Sequence, residues 1–268
     1  MNPVVAARFP LVPRPKPHGG PLTARIDALG PLLPPDADHH QQVLRASEVL
    51  NGAALVVSDV GLSALARDLC WRHYGIFADA LNLSVDVAPL ALQPVLNIPR
   101  QQIRDGQGEH AYNTLLRLYR AAQRRGVAEV CGRNVNLSAI TRGDRHQQIC
   151  TQLWAAVLCD GARALARVGR WDEAATAMQA HRGVGDRLLD GRQVMILSLL
   201  HQGRAQEALD MVDHSTLTQA WERAVAGILR IHCRAQLATP GEHYIDEALS
   251  LWFRKTRTVL RSLRFPVR

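Results

Sequence analysis

From His39 onward, apolar residues recur along the chain at the three- and four-residue steps of amphipathic helices, and glycines interrupt the pattern. Alanine, leucine and valine carry it from His39 to Val57. Gly61 then separates this block from Leu62 to Ala80, whose apolar side is Leu65, Leu69, Tyr74 and Phe77. Residues 88–104 and 108–125 read as a further pair, with Leu115, Leu116, Leu118 and Tyr119 apolar and Arg117, Arg120, Arg124 and Arg125 solvated. Helical blocks continue at Asp144 to Val168, Leu217 to Leu237 and Tyr244 to Leu263. Two stretches break the pattern. Residues 126–143 punctuate short apolar runs with Gly126, Gly132, Asn134, Asn136 and Gly143, which predicts a long loop or an extended hairpin. Residues 1–38 hold nine of the 14 prolines and predict an extended or disordered arm. Within it, Ile26, Leu29, Leu32 and Leu33 fit one short helix packed on the first repeat.

The clearest internal repetition is Gly169-Arg170-Trp171-Asp172-Glu173-Ala174, followed 34 residues later by Gly203-Arg204-Ala205-Gln206-Glu207-Ala208. Glycine tolerates the left-handed backbone of a helix C-cap, and a small residue just inside the next helix permits close approach. Asp172, Glu173 and Glu207 sit near helix starts, where the dipole favours negative charge. The same Gly-x4-Ala spacing occurs at Gly61–Ala66 and Gly106–Ala111.

This period resembles that of the tetratricopeptide repeat. The resemblance extends over residues 40–265 and is clearest over 158–215. The layout is also similar to the helical C-terminal regions of actinobacterial regulators. It implies an all-α fold: a tetratricopeptide-like helical-hairpin solenoid of about ten helices in five antiparallel pairs. The chain then divides into a proline-rich arm, 1–38, and a helical-repeat domain, 39–268, with the long loop near 126–143. Ile196 and Pro99 depart from the family pattern, and Pro94 with Pro99 predicts a kinked or late-starting helix. A fifth hairpin is expected to end at Asp246-Glu247-Ala248, after a loop at Thr239-Pro240-Gly241.

Net charge is +8 and the pI about 9.8. The cations are 30 arginines and two lysines, Lys16 and Lys255, a ratio that reads as genomic composition more than selection for polyanions. Direct nucleic-acid binding is therefore not expected. The lysine shortage excludes a GxxxxGK[ST] phosphate loop and mid-chain lysine catalysis. Five cysteines without a CxxC argue against a zinc site or a disulfide framework and fit a reducing cytoplasm. No apolar run approaches the ~18 residues of a membrane span, and no basic start precedes an apolar run. The basic last block, with Leu251, Trp252, Val259, Leu260 and Leu263 on one side, reads as an end cap. Gly106-Gln107-Gly108-Glu109-His110-Ala111 matches a dinucleotide fingerprint only in letters, because the segment before it is helical in pattern. HExxH and GxSxG are absent. No catalytic residue, metal ligand or cofactor is assigned.

Aligning the four terminating glycines places Glu48, Asn51, Asp59, Gln93, Arg100, Arg104, Arg163, Arg167, Asp190, Gln193 and His201 on the inner side of the first helices. Four arginine forks in the middle, Arg100, Arg104, Arg163 and Arg167, favour an acidic ligand. Asn51 and Gln193 would add amide hydrogen bonds to its backbone. The expectation is a non-enzymatic, cytoplasmic, regulatory helical-repeat protein holding a peptide or protein partner in a concave groove. The alternatives are an effector-sensing domain for a small anionic ligand and an accessory protein of a biosynthetic pathway.

Overall fold

A computed structural model describes residues 8–14, 20–30, 36–78, 83, 87–141 and 143–238. The described chain is all-α apart from one two-stranded sheet. Residues 9–14 run without regular structure, and α1 (Leu22–Asp27) follows. The helices α2 (His39–Asp59) and α3 (Ser63–Gly75) come next, then α4 (Ala88–Arg104) and α5 (Gly108–Gln123). After the sheet and the short α6 (Leu137–Ile140) comes one continuous helical rod. It is α7 (His146–Ala156), a π segment (Val157–Gly161) and α8 (Ala162–Arg167). The last helices are α9 (Trp171–Ala180), α10 (Asp190–His201), α11 (Ala205–Asp213) and α12 (Ala220–Leu237). Each helix packs on its chain neighbour except α6, which packs on α4 and α5 rather than on α7. In addition α2 touches α4, α4 touches α8, α8 touches α10, and α10 touches α12, so the first helices form a row.

The repeated glycines explain how the chain turns back. Gly61, Gly106, Gly169 and Gly203 have φ of +86°, +79°, +77° and +76°. Each stands between two packed helices and donates its N–H to the carbonyl three residues back, as Gly169 does to Ala166 at 3.0 Å. The next residue donates to the carbonyl five back, as Arg170 does to Leu165 at 3.0 Å, which completes a Schellman cap. The partner alanines Ala66, Ala111, Ala174 and Ala208 are all at 0% exposure, so each sits where a larger side chain has no room. Gly108 serves packing too. A Cβ there would strike the Ala164 carbonyl on α8, which gives the GxGxxA letters a structural reason.

The stretch 126–143 is built into the core rather than looped out. β1 (Val127–Val130) and β2 (Arg133–Asn136) pair antiparallel through Cys131 and Gly132, both at positive φ, the geometry of a tight hairpin turn. Ala128, Val130, Val135, Leu137 and Ile140 are buried with α3, α4 and α5, and Tyr74 Oη accepts the Asn136 N–H at 2.9 Å. The helix α4 starts at Ala88 and runs through both Pro94 and Pro99. The late start expected from the prolines does not occur. Pro89 occupies the first turn, where a missing N–H costs nothing, and Pro94 and Pro99 lie buried against neighbouring helices. Leu29, just after α1, packs over Gly52, where a Cβ would come within 2.6 Å of Leu29 Cδ2. Leu32, Leu33 and the C-terminal block from 239 onward, with its expected fifth hairpin and cap, lie outside the described residues.

Candidate peptide groove

A dense set of polar contacts lies where residues 8–14 cross the π segment, α8 and α10, beside α12. Phe9 is 2% exposed and joins the hydrophobic core formed by α8 to α12. Full burial of a phenylalanine side chain stabilises by about 1.5–3 kcal/mol. Two residues on, the backbone of Leu11 meets Gln193, which is 0% exposed. Leu11 donates its N–H to Gln193 Oε1 at 2.7 Å, and Gln193 Nε2 donates to the Leu11 carbonyl at 3.3 Å. The carboxamide is held in place by a second donation from Nε2, to the Leu188 carbonyl at 2.6 Å. Arg163 on α8 donates to the carbonyls of Pro10 and Val12 at 3.4 and 3.5 Å. The segment is thus read mainly through its backbone.

Arg14 ends the segment on two carboxylates. It reaches Asp160 Oδ1 at 3.2 Å and Asp190 Oδ1 at 2.7 Å. Asp160 comes from the π segment of the α7–α8 rod, a local widening that often marks functional positions. Asp190 opens α10, where the helix dipole favours a carboxylate. Its side chain is 6% exposed. Burial raises the Asp190 carboxyl above its ordinary value, and Arg14 and Arg163 oppose that shift. Burial, with Asp190 next to it, pushes the neighbouring Cys159 thiol up to about 11. Cys159 therefore stays a neutral thiol, the reverse of a nucleophilic cysteine. A cavity of about 780 Å3 opens beside this cluster, lined by Arg14, Leu92, Leu96, Arg100, Leu158 and Asp160 among others. A second groove of about 580 Å3 runs along residues 8–14 against Arg163, Arg167, Trp221 and Val225. Among the described residues of 126–143, none lines either space.

The residues expected to form one arginine groove are divided between two places. Arg163, Arg167 and Gln193 lie along residues 8–14. Asn51 accepts from Asn97 Nδ2 at 2.8 Å, and Arg104 pairs with Ser58 Oγ and with Asp59 Oδ1, the latter at 3.1 Å, both at the far end. Arg100 links the two, with Asn97 at 3.5 Å and Asp160 at 2.9 Å. Three of the four arginines expected to favour an acidic ligand already stand against carboxylates of the chain. Arg100 pairs with Asp160 and Arg104 with Asp59, while Arg163 Nε stands 3.9 Å from Asp190. Carboxylates of the chain itself already meet these cations, and the physical reason is charge balance: a half-buried guanidinium needs its counter-ion close by. Arg167 is exposed. Phe9, Leu11, Arg14 and Asp160 were not among the expected site residues. The available signal is Phe9, the one aromatic residue of the proline-rich arm, with Leu11 two residues on. Among the described residues, no group of three or more His, Cys, Asp or Glu side chains converges as a metal site would, and no helix is long and apolar enough to cross a membrane.

Comparison with known proteins gave no matching family model, no matching curated protein and no matching solved structure.

Proposed function

We propose that this chain is a tetratricopeptide-like helical-repeat binding protein, regulatory rather than catalytic, whose row of first helices holds an extended peptide of a protein partner. The observation that carries this is Gln193, a buried carboxamide that both accepts from and donates to one residue of an extended segment. That arrangement supplies for a single residue what a neighbouring strand supplies for many, and it is how grooves hold peptides of varied sequence. The four Gly-capped turns, each followed by a fully buried alanine, support the repeat reading. Fold analogy alone would not carry function. The test is a peptide array probed with the full-length chain and with its Gln193→Leu variant. Capture of extended peptides that fades in the variant is expected. A chain that captures no peptide contradicts the proposal.

One observation favours a second reading, an effector-sensing site. The cavity of about 780 Å3 has the size of small-ligand pockets, mostly apolar with a few convergent charges. A thermal-shift screen with carboxylated and phosphorylated metabolites tests it. A rise in Tm that Arg100→Ala abolishes, in a chain that captures no peptide, selects this reading over the first.

A further inference from the structure

We infer that the groove along α8 and α10 takes a protein partner's peptide ordered aromatic, proline, aliphatic and then arginine, and that residues 8–14 are its built-in competitor. This rests on the peptide-groove reading above and adds the chemistry of the ligand. Three positions of the segment Arg8-Phe9-Pro10-Leu11-Val12-Pro13-Arg14 have a matching surface, whereas Arg8 and Pro13 are exposed. The aromatic ring enters the apolar core, the aliphatic residue presents its N–H and carbonyl to Gln193, and the arginine meets Asp160 and Asp190. Pro10 and Pro13 carry no N–H, so they bring no donor that the groove must satisfy. Their fixed φ also lowers the entropy lost on docking.

The arginine end decides the sign of the ligand. Asp160 and Asp190 have side chains only 11% and 6% exposed. If residues 8–14 left, Asp190 would lose its 2.7 Å cation and keep Arg163 Nε at 3.9 Å, with the weaker neutral donors of the Cys159 thiol and its own N–H. Arg163 Nε is itself buried without a hydrogen bond. A buried carboxylate losing its close partner is costly, so the incoming peptide must bring a guanidinium of its own. The selected ligand is basic at this end, the opposite of the acidic peptide expected from the arginines alone. The order Arg-Phe-Pro-aliphatic also recurs in the sequence at 264–267, so two of the four phenylalanines lie in it. Tethering gives residues 8–14 a high effective concentration, so modest contacts keep the groove filled until a better-matched partner arrives.

The test uses the full-length chain and a fluorescein-labelled heptapeptide of sequence 8–14, followed by fluorescence anisotropy. The parent is expected to bind weakly because its groove is filled. Arg14→Ala loosens the internal competitor and should bind the heptapeptide at least tenfold more tightly. Adding Gln193→Leu to that variant should remove the gain. A heptapeptide carrying Arg14→Glu should bind at least tenfold more weakly than the original. Should Arg14→Ala lose helical content by circular dichroism, Arg14→Gln, which keeps donors and most of the length, takes its place in the same comparison. Equal affinity of parent and variant, or equal affinity of the two heptapeptides, overturns the inference. Peptides of a different order that bind through Gln193 would overturn it while leaving the groove reading intact. Binding of no peptide at all would overturn both.

Discussion

Two ends of one row of helices use the same residue types for different ends. Where α2 meets α4, Arg104 and Asp59 pair with side chains 49% and 45% exposed, and Asn51 meets Asn97 on the neighbouring helix. Where α8 meets α10, Gln193 is fully buried, Asp190 is nearly so, and both engage an extended segment 176 to 182 residues away in sequence. At the open end the polar groups pair with one another and keep access to water. At the closed end, Gln193, Asp160 and Asp190 are largely withdrawn from water, so their contacts are both stronger and more costly to lose. Burial, more than residue type, separates a solvated ion pair from the enclosed polar cluster proposed as a recognition site.

If that contrast is correct, substitutions at the closed end should cost far more than substitutions at the open end. The largest effect belongs to Phe9→Ala, expected to destabilise by about 3–5 kcal/mol in urea unfolding, as for other buried phenylalanines. An effect under about 0.5 kcal/mol would mean that the ring is not held in the core. Next is Glu222→Gln. Glu222 is fully buried at the start of α12, whose Trp221 and Val225 wall the groove. Burial would raise its carboxyl, but Arg187, the Thr218 hydroxyl and the N–H groups of Gln219 and Thr218 outweigh it and hold it at about 2. A depressed carboxyl contributes stability that is present above the ordinary value of 4.5 and lost as pH falls toward about 2. The parent should therefore lose Tm across that window and Glu222→Gln should lose less. At pH 7 the variant should be weaker by about 1.5–3 kcal/mol, the scale of hydrogen bonds to a charged group. Gln193→Leu should cost about 1–3 kcal/mol, because the Leu11 N–H is left without its partner. Arg104→Ala at the open end should cost no more than about 1 kcal/mol, the scale of exposed ion pairs. Were Arg104→Ala as damaging as Gln193→Leu, the contrast between the ends would fail.

What was legible in the sequence follows the same division. The turns were readable because their chemistry is local. A helix that must reverse direction needs a residue at positive φ, and Gly61, Gly106, Gly169 and Gly203 supply it with a small alanine five residues on. Two further turns of the same kind escaped notice because Arg125 and Arg182 hold the left-handed position, at φ +50° and +54°, without a glycine to mark it. The punctuation at 126–143 suggested a hairpin, yet nothing local told that Val130 and Val135 complete a core with α3 to α5. Gln193 is expected to bond the backbone of a partner peptide, and the backbone it meets is that of Leu11 in the same chain. Leu11 lies in an arm whose prolines read as disorder, and the pairing of Arg14 with Asp160 and Asp190 is a long-range contact that periodicity cannot report. The alignment puts Arg104 and Asp59 on the same inner side without reporting that they are close enough to pair, and Asp160, the partner of Arg100, lies outside the aligned set.

The most direct test of the central claim is hydrogen exchange at the Leu11 amide in the full-length chain. Pro10 and Pro13 have no amide, so Leu11 is the one N–H in this segment that Gln193 reads. Residues 8–14 seated on α8 and α10 should protect that amide at least a hundredfold relative to an unstructured peptide, with most of the protection lost in Gln193→Leu. Exchange at the unstructured rate in the parent would contradict the account.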